Sequence, residues 1–147
     1  MLKGTTNVIT NRSSIIEAIQ GFQARTKKVW FACVEKSLPA FSVGRVRQGY
    51  LDAKARGVKI SYITEITDDN LTHCMDIMQF AELRHLEGVR CNFAVSETEY
   101  VAGVMEESEL VSLVRTNVEE IVNQQHLVFQ TLWSNAEPAV KKLARMT

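Results

Sequence analysis

Val29-Trp30-Phe31-Ala32-Cys33-Val34 is the stretch on which the reading of the fold turns. Its apolar residues run without alternation, the pattern of a central strand covered on both faces. Working outward from it, strand-like and helix-like segments alternate. Thr6 to Thr10 is short and mostly β-branched. Asn11 to Thr26 places Ile15, Ile16, Ile19 and Phe22 at helical spacing, with Asn11 or Ser14 as cap and Ser14–Glu17 as a capping box. A helix is expected over Ala40 to Arg56, with Val43, Val46, Tyr50 and Leu51 on one stripe and Gly57 in the left-handed position past its end. Val58 to Ile63 reads as a strand. Thr67 caps a third helix, with Leu71, Cys74, Met75, Met78 and Ala81 on its apolar face, and the strand Val89 to Val95 follows.

The last third has a different rhythm. Glu99 to Val104 and Leu110 to Arg115 are two close-spaced strands with acidic Glu106, Glu107 and Glu109 between them. Asn117 then caps a long helix through Val118, Ile121, Val122, Val128, Phe129, Leu132 and Trp133, and Glu137 to Met146 continues a weaker helical pattern. The order β-α-β-α-β-α-β-β-β-α predicts an α/β sandwich. Its mixed, mostly parallel sheet is flanked by helices, with a hairpin at one side and a long C-terminal helix.

Composition narrows the function. The chain has 147 residues, 46% hydrophobic and 23% charged, the size and balance of one globular domain. Seventeen basic and 17 acidic residues cancel, so no nucleic-acid partner is expected. Cys33, Cys74 and Cys91 are far apart and odd in number, which reads as reduced, mostly buried thiols rather than a disulfide scaffold or zinc site. No apolar run approaches the roughly 20 residues that cross a bilayer, and the N-terminus lacks the apolar stretch of a signal peptide. A cytoplasmic protein without membrane contact is expected.

The first strand is followed by Thr10-Asn11-Arg12-Ser13, without the glycines of a dinucleotide turn, and there is no P-loop. The acidic pair and phospho-acceptor Asp of a receiver domain are missing as well. His73, His85 and His126 stand on separate segments, so no metal site and no cofactor is expected. The densest polar cluster is Ser96-Glu97-Thr98-Glu99-Tyr100 between two strands, with Thr64-Glu65 at another strand's end expected near it. His85 lies in Glu82-Leu83-Arg84-His85-Leu86-Glu87-Gly88, read as a loop between a helix and a strand, where α/β folds keep polar functional groups.

Three stretches carry a resemblance: Tyr50-Leu51-Asp52-Ala53-Lys54-Ala55-Arg56-Gly57-Val58-Lys59-Ile60-Ser61-Tyr62-Ile63-Thr64-Glu65-Ile66-Thr67, Ala81 to Gly88, and Asn92-Phe93-Ala94-Val95-Ser96-Glu97-Thr98-Glu99-Tyr100. With Asn117 to Val122, Gln124-Gln125, Phe129 and Leu132-Trp133, the chain from about Thr6 to Pro138 resembles the N-terminal phospholipase D-like sensor domain of archaeal, chiefly thaumarchaeal, signal-transduction histidine kinases. The resemblance implies one half of a phospholipase D fold and a homodimer. It places a sensor domain over residues 1–136 and a C-terminal helical tail or connector over 137–147. Phospholipase D enzymes carry His-x-Lys, whose histidine is the nucleophile. The stretch matched to it here is Ser96-Glu97-Thr98-Glu99-Tyr100, and no His-x-Lys occurs anywhere in the chain.

The expectation is therefore a non-catalytic sensor or regulatory domain that binds a small ligand or a downstream signalling partner at the strand ends. Thr64, Glu65, Arg84, His85, Ser96, Thr98, Glu99 and Tyr100 are the expected pocket, with Arg84 free to grip an anion by two prongs or to pair with Glu82 or Glu87. The alternatives are an interaction module without a small ligand, or a hydrolase rebuilt around Glu97 or Glu99 with His85.

Overall fold

The computed structural model describes residues 3–37 and 43–146. Strand β1 (Thr6–Thr10) runs into helix α1 (Arg12–Arg25) through Asn11. The Asn11 side chain accepts from the Ser13 and Ser14 amides at 3.0 and 3.4 Å, satisfying two orphan donors of the first turn. Ser14 therefore lies inside the helix rather than capping it. β2 (Val29–Val34) is the apolar run, and α2 (Gly44–Ala55) follows; its expected start at Ala40 lies outside the described residues. Gly57 takes φ +91° just past α2, a conformation only glycine adopts cheaply, and lets the chain turn into β3 (Lys59–Thr64). A 3-10 turn at Asp68–Asn70 leads into α3 (Leu71–Ile77).

Here the structure departs from the sequence reading. α3 stops at Ile77, and Glu82–His85, expected to be a loop, is strand β4 beside β3. β5 (Asn92–Ser96), β6 (Tyr100–Glu106) and β7 (Glu109–Thr116) follow, the last two joined through Glu107 and Ser108, both at positive φ. α4 (Glu119–Asn135), β8 (Glu137–Pro138) and α5 (Ala139–Arg145) complete the chain. Asn117 does not cap α4. Its Oδ1 accepts from the Thr5 amide at 2.7 Å, and Thr116 Oγ1 accepts from Val118 N instead. The long helix is α4, with 17 residues, while the terminal helix α5 has only seven.

The sheet has the order β1-β7-β6-β5-β2-β3-β4-β8. Only β2–β3 and β3–β4 are parallel, and the remaining neighbours are antiparallel, which corrects the mostly parallel expectation. The reason is the length of residues 86–91. A parallel crossover needs a dozen or more residues to return to the starting edge. This connection has no room for a helix, so β5 starts at the end where β4 stops and runs back antiparallel to β2.

Alternation along the strands builds two cores. One face carries Trp30, Ala32, Tyr62, Leu83 and Ala94 against α1, α2, α3 and α5, with Phe22, Tyr50 and Ile77 in the same cluster. The other carries Cys33, Ile63, Phe93 and Val95 under α4, whose Val122 and Phe129 are buried there. Burial of large side chains such as Phe22 and Phe129 contributes about 1.5–3 kcal/mol each.

The α1–α2 contact is held by Gln23, whose buried amide donates to Val46 O at 2.8 Å. A Cβ on Gly49 would fall 1.9 Å from Gln23 Oε1. Gly49→Ala should therefore lose stability: overpacking costs about 1–3 kcal/mol, against roughly 1 kcal/mol gained in helix propensity. A lowered urea midpoint with an unchanged slope is the expected result.

Candidate functional site

β2, β3 and β4 end on the same side of the sheet, at Val34, Thr64 and His85. Residues 86–91 pass over these ends and gather polar groups there. Glu35 and Asn92 hold each other reciprocally: Glu35 N donates to Asn92 Oδ1 at 3.2 Å, and Asn92 Nδ2 donates to Glu35 Oε2 at 3.0 Å. The Ser37 hydroxyl donates to the other Glu35 oxygen. Gly88 N donates to Glu65 Oε1 at 3.3 Å, tying the connection to the end of β3.

Two recesses meet at this end and share Glu35 and Arg90. One runs along the face of β5 and β6, past Cys91, Asn92 and Tyr100 to the apolar Val104. The other is bounded by Lys36, Glu65 and Gly88. Cys91 lines the first recess, and its Sγ lies 3.3 Å from the Sγ of the buried Cys33 behind it. The Tyr100 phenol is pushed up from its ordinary range by burial and by Cys91.

The expected pocket is divided. Thr64, Glu65 and His85 are at this end. Ser96, Thr98 and Glu99 are at the other, because Ser96 pairs opposite Trp30, which pairs opposite Ile60. Thr64 lies four positions beyond Ile60, about 13 Å along the strand. Tyr100 begins β6 on that far side, yet its ring packs at 5.8 Å from Phe93 and lines the Cys91 recess. Thr98 is exposed.

At the far end the polar residues satisfy one another. Ser96 Oγ accepts from the Thr98 and Glu99 amides, closing the turn. Glu97 accepts from the amides of Lys27, Lys28 and Val29 at 2.8–3.1 Å. Burial works to raise the pKa of Glu97, but those amides outweigh it and hold the carboxyl below its usual range. Glu99, 4% exposed, receives two bonds from Arg25 (2.7 and 2.8 Å) and one from Arg115 (2.9 Å). Burial opposes ionisation there too, and the two guanidiniums overcome it. These carboxylates hold the turn in place, and the sheet's length separates them from His85, so the pairing expected of a rebuilt hydrolase does not assemble.

His85 and Arg84 are committed internally. His85 is 5% exposed and its Nδ1 accepts from Ile66 N at 2.9 Å, fixing the proton of the neutral ring on Nε2. Burial, with Lys142, lowers its pKa. Arg84 does not pair with Glu82 or Glu87. Its guanidinium stacks 4.2 Å over Trp133 and donates to Trp133 O at 2.9 Å, holding the end of α4 to β4. The sequence reading missed Glu35, Arg90, Cys91 and Asn92. Single polar residues flanking two apolar strands were the only signal of them. Among the described residues no cluster of His, Cys, Asp and Glu has the makings of a metal centre.

No protein-family model and no curated sequence matches the chain. Solved structures share its arrangement. Nuc, a phospholipase D family member from Salmonella typhimurium, superposes with a TM-score of 0.76 at 12% identity, over 92% of this chain and 98% of that one. NucT from Helicobacter pylori gives 0.75 at 9% identity, over 92% and 99%. The fold is phospholipase D-like. TrmBL2, an archaeal chromatin protein, gives 0.71 at 14% identity over 90% of this chain, which spans about half (53%) of that structure. TrmBL2 binds DNA. That overturns the expectation, drawn from a zero net charge, of no nucleic-acid partner, because phosphate is met by local patches rather than by the summed charge. At such identities the likeness carries the fold alone. In this phospholipase D-like chain His85 is buried beneath the sheet edge, His126 bonds Ser96 O from α4 at 2.7 Å and His73 sits on α3; none lines the strand-end recesses. Among the described residues, no helix is long and apolar enough to cross a membrane.

Glu99 supplies a pH prediction. Its folded-state pKa lies below its unfolded value, so the stabilisation is present above the ordinary carboxylate range and lost as pH falls through the folded value. Glu99→Gln should cost about 1–3 kcal/mol at pH 7, with Arg25 half exposed and so partly screened. The deficit should shrink toward pH 3 in denaturant titrations.

Proposed function

We propose that this chain is a non-catalytic, cytoplasmic regulatory domain that binds a small polar ligand in the strand-end groove. Such a sensor role is what its resemblance to the archaeal kinase domains implies. The observation that carries the reading is a groove lined by Glu35, Arg90, Cys91, Asn92 and Tyr100 with no imidazole in it. Glu35 is a fixed acceptor, its carboxylate already oriented by Asn92 and Ser37. Asn92 and Tyr100 bring amide and phenol groups, and the exposed Arg90 offers a cation at the rim. This combination suits a hydroxylated metabolite bearing one anionic group. Without a nucleophilic histidine there is nothing to form a covalent phosphoryl intermediate of the phospholipase D kind.

A thermal-shift panel of sugar phosphates, hydroxy acids and nucleotides tests the reading. A ligand at a hundredfold excess over Kd should stabilise the fold by about 2.7 kcal/mol. Glu35→Gln and Asn92→Ala should abolish that shift, whereas Thr98→Ala, at the opposite end, should leave it intact. A shift unchanged in both groove variants would overturn the site, and an empty panel would favour a pure interaction module. The fold shared with a DNA-binding chromatin protein supports a second reading, in which short duplex DNA alone stabilises the protein. Phosphodiester turnover of bis-p-nitrophenyl phosphate by the purified chain, expected to be absent, would sink the non-catalytic reading.

A further inference from the structure

We propose that Cys91 and Cys33 form a peroxide-responsive dithiol, with Cys91 the attacking thiol and Cys33 the resolving one. This is independent of which ligand the groove takes. The argument is geometric first. The two sulfurs are 3.3 Å apart on the α4 face, Cys33 in β2 and Cys91 just ahead of the neighbouring β5, and a disulfide needs about 2.0 Å, so roughly 1.3 Å of closure suffices. Cys91 stands one residue ahead of β5, outside the paired register that begins at Asn92, so that movement does not break the ladder.

Access separates their roles. Cys91 is half-buried and lines the open recess beside Glu35 and Tyr100, so a small oxidant reaches it from solvent. Cys33 is fully buried behind it, between Phe93 and Ile63, where a neighbouring sulfur is the group placed to meet it. Electrostatics agree. The hydrogen bond from Cys33 lowers the Cys91 thiol to about 7, against burial and the nearby Glu35. Cys33 moves the other way, raised by the same hydrogen bond and by burial. The more accessible sulfur is thus favoured as the thiolate and the buried one as the proton holder. Cys74 provides an internal control. It is buried on the opposite core, with its thiol donating to Asn70 Oδ1 and its pKa pushed up to about 11 by burial.

The oxidant is a hydroperoxide, and the chemistry balances in two steps. The Cys91 thiolate attacks the terminal peroxide oxygen, the O–O bond breaks, and Cys91 sulfenic acid and an alkoxide (hydroxide from hydrogen peroxide) result. The Cys33 sulfur then attacks the Cys91 sulfur, forming the S–S bond. The sulfenic oxygen leaves as water, taking the Cys33 proton. The product draws the connection 86–91 toward β2, and with it Arg90, which lines both recesses, and Gly88, which lines the second. The redox state of the pair therefore sets the shape of the strand-end groove.

The reduced 147-residue chain, treated with hydrogen peroxide and weighed intact, should lose about 2 Da and regain it with dithiothreitol. Proteolysis without reduction should yield one Cys33–Cys91 cross-linked peptide. Cys33→Ser should stop at a gain of about 16 Da that dimedone traps on Cys91, and Cys91→Ser should show neither product. Circular dichroism of both variants checks that they fold, and the wild-type peptide map stands without them. An unchanged wild-type mass, dimedone on Cys33, or a disulfide between two chains would each overturn the proposal.

Discussion

Residues 86–91 are the constraint from which the rest of the architecture follows. The connection leaves β4 and joins β5 at the same end of the sheet, with too few residues to climb back along a helix. β5 must therefore run antiparallel to β2, which converts a parallel α/β beginning into a mixed sheet and leaves β6 and β7 to continue as a hairpin. The same short path lies across the ends of β2 and β3. That is why Cys91 meets Cys33, and Asn92 meets Glu35, although about 57 residues separate each pair in sequence.

The two ends of the sheet solve the burial of charge differently. At the Ser96–Glu99 end every carboxylate is answered: Glu97 by three backbone amides, Glu99 by two arginines from α1 and β7. Burying a charge is tolerable only with such compensation. Charge there is spent on positioning the turn and the C-terminus of α1. At the opposite end Glu35 is oriented by Asn92 and Ser37 but still lines an open recess with Arg90 nearby. The polar density that stands out in sequence is paired within the protein, and the sparse one lines an open recess.

Local patterns were legible where local physics decides. The unbroken run Val29–Val34 is the central strand, Asn11 caps α1, and Gly57 occupies the left-handed position after α2. Tertiary pairing decides elsewhere. Glu82-Leu83-Arg84-His85 has no strand signature of its own and becomes β4 because β3 offers a free edge for parallel pairing. Asn117 has a cap's chemistry, but Thr5 takes its oxygen. Thr64 and Ser96 are both at strand ends, yet one-dimensional spacing does not say which end, and an antiparallel β5 puts them on opposite sides. Arg84 and His85 read as loop groups; as strand neighbours they point to opposite faces, one onto Trp133 and the other toward α5.

The two tryptophans fall one to each face of the sheet. Trp30 is 2% exposed, edge-on to Phe22 and Tyr50 in the core of α1 and α2. Trp133 is half-buried at the end of α4, stacked on Phe129 and in contact with the Arg84 guanidinium. Their light emission should thereby be sorted by layer, a bluer component from the buried indole and a redder one from the half-buried indole beside a guanidinium. The molecule carries its own two-colour label, in which a displacement of α4 alters one colour while the other stays as the reference.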